Sequence, residues 1–353
     1  MPDARVQAAI TNWAPRFTSQ GVDYNDFVGV TSTVETWDQW LDAWVANGDM
    51  HAALAQEAEA AGRSLSAGEA WVRAALSYHF SKFVWMLDMG KYRAAADKAV
   101  QAIYAAYRQI DPTGERLEIP FEGATLVGNL RRPPDAARPP LVFLLPGLDS
   151  TKEEFFNWEN VFLRRGLATL AFEGPGQGET GYTTHIRADY NAAVTAALDA
   201  LDSRTDIDLG RIGVVGVSLG GYYAPRAAAF EPRIKAAAPI GGPFNFGACW
   251  DRLPTITRET FVHHSGAADE DDARDRAYQL DLDGMAQRIR QPMLIVFGKL
   301  DRLIPWEQAE QMAQAAPNAE LVMYPDGNHV CNNLPYKYRP LVGDWIREKL
   351  ADA

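Results

Sequence analysis

The sequence predicts an α/β protein: a mostly parallel sheet with helices on both faces, preceded by an all-helical N-terminal domain. Three observations carry this. From about residue 140 onward, short and largely apolar runs alternate with amphipathic segments, the pattern of strands buried on both faces. The first third has another texture, rich in alanine, tryptophan and charge, with apolar residues at helical spacing. The run Ile212-Gly-Val-Val-Gly-Val-Ser218-Leu-Gly220-Gly221 then closes a buried strand on a Gly216-x-Ser218-x-Gly220 pattern, a sharp strand-to-helix turn.

The N-terminal elements come first. Ala52–Ala61, Ala67–Met86 and Tyr92–Ile110 have helical periodicity. Ser66 followed by Glu69 resembles a capping box opening the second of these helices. No fixed repeat period emerges, so residues 1–112 are read as one helical domain. Its tryptophans, Trp37, Trp40, Trp44, Trp71 and Trp85, are expected in its core; one or two line a substrate pocket if the domain covers one.

The texture changes near Asp111-Pro-Thr-Gly114, where residues 113–353 begin the second domain. Arg116–Phe121 and Ala124–Arg131 read as strands joined at Glu122-Gly123. Prolines 133, 134, 139 and 140 mark a loop. Further strands are placed at Leu141–Leu145, Ala168–Phe172, Ile212–Val217, Ala236–Ile240, Met293–Phe297 and Glu320–Tyr324. The long mixed stretch 243–291 is expected to supply a lid segment and a helix.

Composition narrows the function. The chain has 353 residues, 47% hydrophobic, enough for one large and one small domain with a real core. Lys and Arg number 34 against 46 Asp and Glu, a net charge of −12 without a basic cluster, which argues against nucleic acid or an anionic membrane as partner. Its two cysteines, Cys249 and Cys331, make neither a disulfide framework nor a metal-binding spacing. The opening Met1–Val6 lacks a long apolar stretch, so no signal peptide is expected, and a cytoplasmic location is.

Ser218 stands where a turn lifts a hydroxyl out of the sheet. A serine hydroxyl needs a base, and near neutral pH that base is a histidine. His329, in the turn after the last strand, has the best context of the six histidines. The acid belongs after Met293–Phe297, which selects Asp301, although Asp301 also suits a helix cap before Pro305. Chain order Ser218, Asp301, His329 is the order this type of sheet requires. Asp326, three residues before His329, is the rival acid and is better suited to shaping the turn. An oxyanion hole needs two backbone N–H donors; Leu219 follows the nucleophile, and Leu148 in Leu145-Pro-Gly-Leu148-Asp149 is the candidate for the second. The Glu173-Gly-Pro-Gly-Gln-Gly-Glu179 loop reads as mainly architectural, with Glu173 or Glu179 as possible substrate contacts. Tyr222 or Tyr223 could also reach a ligand. His263-His264 lacks a spaced third ligand, and no dinucleotide fingerprint follows a strand, so neither metal nor cofactor is expected.

Together with Trp37-Asp-Gln-Trp40, Gly147-Leu-Asp-Ser-Thr-Lys-Glu-Glu154, Phe172–Glu179 and Asp326-Gly-Asn-His329, these motifs resemble the 2,6-dihydroxypseudooxynicotine hydrolase subgroup of the α/β-hydrolases, along nearly the whole chain. The resemblance implies an N-terminal helical cap that roofs the active site, a homodimer, and hydrolysis of a carbon–carbon bond beside a ketone. It assigns Ser218 as nucleophile, Asp301 as acid and His329 as base. It also implies an extra acidic residue on the segment after the strand that follows the nucleophile helix. Here that segment runs Gly242–Arg252; Asp251 is the nearest carboxylate, and Asp251 and Trp250 are its candidate substrate contacts. An esterase, thioesterase or lactonase using the same residues remains the alternative, and a non-catalytic binding protein on this fold the third.

Overall fold

The computed structural model describes residues 3–351. Met1 and Pro2, part of the opening read above for a leader, lie outside them. The chain divides into two compact units: residues 3–115 together with Glu153–Asn157, and Arg116–Lys152 together with residues 158–351.

The first unit holds five helices: α1 (Ala4–Gln20), α2 (Tyr24–Thr31), α3 (Gln39–Ala60), α4 (Ser64–Ser81) and α5 (Met89–Ile110). Aspartates start three of them: Asp3, Asp23 and Asp88 each accept a backbone N–H of the first turn. The capping box read at Ser66 is not used. Helix α4 starts two residues earlier, with Arg63 at the cap position and no side-chain cap bond, so Ser66 and Glu69 lie inside the helix. The helix read over Ala52–Ala61 is the second half of α3, whose first half carries Trp40 and Trp44.

Aromatic rings fill this unit's interior. Phe17 stacks on Phe80 with centroids 3.9 Å apart, and Trp44 sits 5.3 Å from Phe17. The indole N–H of Trp40 donates to the Phe80 carbonyl, and that of Trp85 to the Trp37 carbonyl. Trp37, Trp40, Trp44 and Trp85 are thus core residues, with backbone carbonyls satisfying the indoles of Trp40 and Trp85, while Trp71 bonds Glu59 near the surface.

A buried charge cluster lies in the same unit. Arg16 grips Glu154 with two bonds of 2.8 and 2.7 Å, Gln20 adds a third at 3.1 Å, and His79 Nε2 lies 3.1 Å from the same carboxylate. Burial alone would raise the Glu154 pKa, but Arg16 and His79 outweigh it and hold the carboxyl well below the ordinary range. Burial drives His79 the other way from a cation, lowering its pKa, with Lys82 adding to the effect.

The second unit is built on an eight-stranded sheet of order β1-β2-β4-β3-β5-β6-β7-β8. The strands are β1 (Glu115–Phe121), β2 (Ala124–Arg131), β3 (Pro140–Leu145), β4 (Ala168–Glu173), β5 (Asp208–Val217), β6 (Ile234–Ile240), β7 (Met293–Gly298) and β8 (Ala319–Tyr324). Each strand read from the sequence is present. Strand β2 runs antiparallel to β4; from β4 through β8 the neighbours are parallel. The Glu122-Gly123 turn has φ of +48° and +83°, the paired positive values of a tight hairpin. Helices α6 (Phe156–Leu163), α7 (Asn191–Leu201), α8 (Gly220–Phe230), α9 (Thr255–Ser265), α10 (Glu270–Tyr278), α11 (Glu307–Ala315) and α12 (Pro335–Ala351) accompany the strands.

Strands β3, β4 and β6 and the Ile212–Val217 part of β5 are largely apolar and buried, and they form the centre of the core with Tyr190, Tyr222 and Tyr223. The 243–291 stretch holds two α-helices, α9 and α10, where one was expected. Its two arms are joined by backbone bonds between Phe246 and Leu280 and between Phe244 and Leu282, and Phe246 and Trp250 pack on Phe261.

Candidate active site

In a parallel sheet the loops at the carboxyl ends of the strands gather on one edge. Ser218 follows β5, with β3 on one side and β6 on the other. Its φ is +54°, a left-handed conformation that a serine adopts only when the surroundings enforce it. Those surroundings are two glycines. A Cβ on Gly216 would run into the Gly220 carbonyl, and one on Gly220 into the Leu145 and Pro146 carbonyls. The turn is therefore tight enough to hold the Ser218 side chain clear of both strand and helix.

Two further loops converge on it. His329 Nε2 lies 2.8 Å from Ser218 Oγ, and His329 Nδ1 lies 2.7 Å from Asp301 Oδ2. The three side chains form one hydrogen-bonded row. Asp301 is wholly buried and uses both oxygens: Oδ1 accepts the N–H groups of Leu303 and Ile304 at 2.9 and 3.0 Å. Asp301 thus partners the histidine and braces its own turn, but it caps no helix: α11 starts at Glu307, with Trp306 at its cap position. The loops after β7 and β8 are tied by bonds from Lys299 N to Tyr324 O and from Leu300 N to Gly327 O, which bring Asp301 alongside His329. Beyond the histidine, Val330 and Cys331 have φ of +58° and +54°, so this loop carries strain as well. Asp326 lies at the turn's surface near Lys337.

The matched motifs extend through most of the chain. The description "Esterase FrsA-like" fits residues 24–351. The chain belongs to the FrsA-like esterase family. This FrsA-like protein is 34% identical over 342 residues to 2,6-dihydropseudooxynicotine hydrolase of Paenarthrobacter nicotinovorans, covering 96% of this chain and 92% of that one. It is 34% identical over 260 residues to the α/β-hydrolase XenA of Xenoacremonium sinensis, covering 69% of this chain and 60% of that relative. The crystal structure of 2,6-dihydroxy-pseudo-oxynicotine hydrolase superposes with a TM-score of 0.88 at 33% identity, covering 96% of each chain. The FrsA-like protein is an α/β-hydrolase, and the sequence resemblance held at the level of the subgroup.

Leu219 follows Ser218 in the chain, and Leu148 follows Gly147. Gly147 faces Ser218 closely, since a Cβ on it would sit 3.1 Å from the Ser218 Cβ. Among the described residues, no backbone N–H bond from Leu148 or Leu219 to a protein acceptor is present.

The secondary candidates are otherwise engaged. Glu173 has no exposed surface, and its carboxylate is held by the Lys152 ammonium and by the backbone N–H groups of Lys152 and Glu179. Glu179 pairs with Arg116 through two bonds and with Lys152. Neither carboxylate is free for a substrate. Tyr222 is buried and donates to the Ala188 carbonyl; Tyr223, also buried, stacks on Tyr190 at 3.9 Å. Trp250 is a core residue against Phe261. Asp251 lies at the surface, 3.0 Å from Arg274, with 78% of its side chain exposed, which does not suit an extra catalytic acid. Among the described residues no three His, Cys, Asp or Glu side chains converge as metal ligands.

Two buried residues with specific partners escaped the sequence reading. Lys152 lies buried between Glu173 and Glu179, and Gln177 bonds the loop that carries Leu148. Both stood in quoted motifs, but nothing in the residue pattern names their partners.

Proposed function

We propose that this protein is a serine hydrolase that cleaves the carbon–carbon bond beside a ketone carbonyl in an aromatic or polyketide-like small molecule, through an acyl-enzyme. The observation that carries the reading is the continuous row Asp301–His329–Ser218, with both contacts below 3 Å. Ser218 Oγ attacks the carbonyl carbon as its proton passes to His329 Nε2, and the carbonyl electrons move onto oxygen. The N–H groups of Leu148 and Leu219 hold that oxyanion. Collapse breaks the C–C bond, and the departing carbon takes the proton from His329. Asp301 keeps Nδ1 of the imidazole protonated and oriented throughout. Water, deprotonated by His329, then attacks the ester on Ser218 and releases a carboxylic acid and the free serine. A carbon leaving group departs readily if it is an electron-rich ring, which takes the His329 proton on carbon, or if it leaves as a stabilised enol. The similarity to a hydrolase over nearly the whole chain supports this substrate class.

A second reading keeps the residues and changes the bond to an ester, thioester or lactone. The family's esterase description favours it, as does Asp251 being spent on an exposed ion pair. A panel of β-diketones and acyl-phenols against aryl esters separates the two: ketone cleavage supports the first, and fast ester cleavage with inert ketones the second. Ser218→Ala should abolish turnover while leaving substrate binding largely intact, and near-normal turnover would refute the assignment of the nucleophile. Both readings include a homodimer, checked by light scattering.

A further inference from the structure

Gln177 is buried, with 1% of its surface exposed, and makes four polar contacts inside the sheet's carboxyl edge. Its Nε2 donates to two successive carbonyls of the loop after β3, Pro146 at 2.7 Å and Gly147 at 3.0 Å. Its Oε1 accepts from the Gly174 backbone N–H at 3.0 Å and from the Tyr190 hydroxyl at 2.8 Å. This set allows one orientation of the amide. Exchanging oxygen and nitrogen would turn an acceptor toward two carbonyls and a donor toward the Gly174 N–H.

The consequence falls on the Gly147–Leu148 peptide. The described chain has no cis peptide bond, so this unit's C=O and N–H point in opposite directions. Drawing the Gly147 oxygen toward Gln177 sends the Leu148 N–H away from it. Ser218 packs closely on Gly147, whose added Cβ would be 3.1 Å from Ser218 Cβ and 3.5 Å from Oγ. The support behind Gln177 is rigid as well: Tyr190 is fully buried and stacked at 9° on Tyr223, which lies in the first turns of α8, the helix that Ser218 precedes.

We infer that Gln177 is a positioning residue that sets the orientation of the Leu148 N–H as an oxyanion donor. The inference rests on the catalytic reading of Ser218. Gln177 touches no substrate; it holds the donor in its working orientation before charge develops, so its removal weakens the transition state more than the bound ground state.

A fluorophosphonate probe tests this without knowledge of the natural substrate. Ser218 Oγ bonds to phosphorus, fluoride leaves, the serine proton goes to His329, and the phosphoryl oxygen takes the oxyanion's place. Gln177→Leu should lower the maximal labelling rate about 10- to 100-fold, the scale of one weakened oxyanion donor, with the probe's half-saturating concentration unchanged. Gln177→Glu, which sets a carboxylate against two carbonyls, should be slower still. Tyr190→Phe keeps the ring and removes the hydroxyl that orients the amide, and should give a smaller loss of the same kind. A folded Gln177→Leu protein that labels at the wild-type maximal rate overturns the inference. So does a loss confined to half-saturation. If Gln177→Leu does not fold, Tyr190→Phe decides by the same two criteria. Equal labelling of Ser218→Ala and wild type would instead overturn the catalytic reading itself, so the two failures are distinct.

Discussion

Asp301 serves His329 with one carboxylate oxygen and its own loop with the other. Oδ2 lies 2.7 Å from His329 Nδ1, while Oδ1 caps the turn through Leu303 and Ile304. The geometry separates catalysis from stability. Asp301→Asn can keep a carbonyl oxygen on the turn while presenting an N–H₂ to Nδ1, which forces the wrong imidazole tautomer toward Ser218. Turnover should fall by about 10⁴-fold with little loss of stability. Asp301→Ala should be equally inactive and lose about 1 kcal/mol more, because the cap goes too. Steady-state rates and urea denaturation of the pair provide the comparison; equal stability of the two would refute the capping role.

The serine turn leaves no room for a methyl group. In Gly220→Ala the new Cβ meets the Leu145 and Pro146 carbonyls, which are backbone and cannot swing aside. The strand and helix must separate, at a cost of about 2 kcal/mol or more, and Ser218 then moves off His329. Thermal denaturation and fluorophosphonate labelling should both register the change. A variant with wild-type melting and labelling would mean that the turn is looser than described.

Lys152 and Glu173 are both without exposed surface and stand 3.3 Å apart. Lys152→Met should cost about 3–5 kcal/mol, since it strands a buried carboxylate. Adding Glu173→Gln to that variant should recover part of the loss, because a neutral amide tolerates the site better. Removing Arg116 from the partly exposed Glu179 should cost about 1 kcal/mol or less. A double-mutant cycle in urea measures the coupling; additive losses would show that the buried pair does not act as a unit.

In the helical unit, Arg16 keeps the buried Glu154 carboxyl well below its ordinary pKa, against the effect of burial. A depressed folded pKa contributes stability that is fully present above the unfolded carboxylate value, near 4.3, and is lost as pH falls toward the folded one. Arg16→Leu removes the cation, so the Glu154 pKa rises. That variant should be less stable at neutral pH, by about 3–5 kcal/mol, and its acid transition should begin at higher pH than the wild type's. Circular dichroism during acid titration follows both transitions. Coincident midpoints would exclude Arg16 as the cause of the depressed pKa.

Much of this architecture is local in origin. Strands β3 to β7 could be placed because each contains a short apolar run bounded by glycine, proline or charge, and because a strand buried on both faces has no polar alternation to confuse with a helix. Ser218 could be named because its turn needs glycine at positions 216 and 220. Capping was less legible: serine and glutamate at 66 and 69 satisfy the pattern, but α4 starts at Ser64 with Arg63 at the cap position, and nothing in the residue pattern marks that start. Asp251 was the nearest acid in the chain, and its surface pairing with Arg274 depends on a helix more than 20 positions further on.

The sequence by itself determined the alternation of strands and helices, the serine turn and the order of serine, acid and base, because each follows from neighbouring residues and short spacings. Only the tertiary structure decided that Asp301 divides its oxygens, that Lys152 lies between two glutamates and that Gln177 binds the loop before Leu148. These are contacts between groups distant in the chain. A glutamine or lysine has the same local preferences whether it faces water or a buried carbonyl, so its partner exists only once the sheet has brought the loops together.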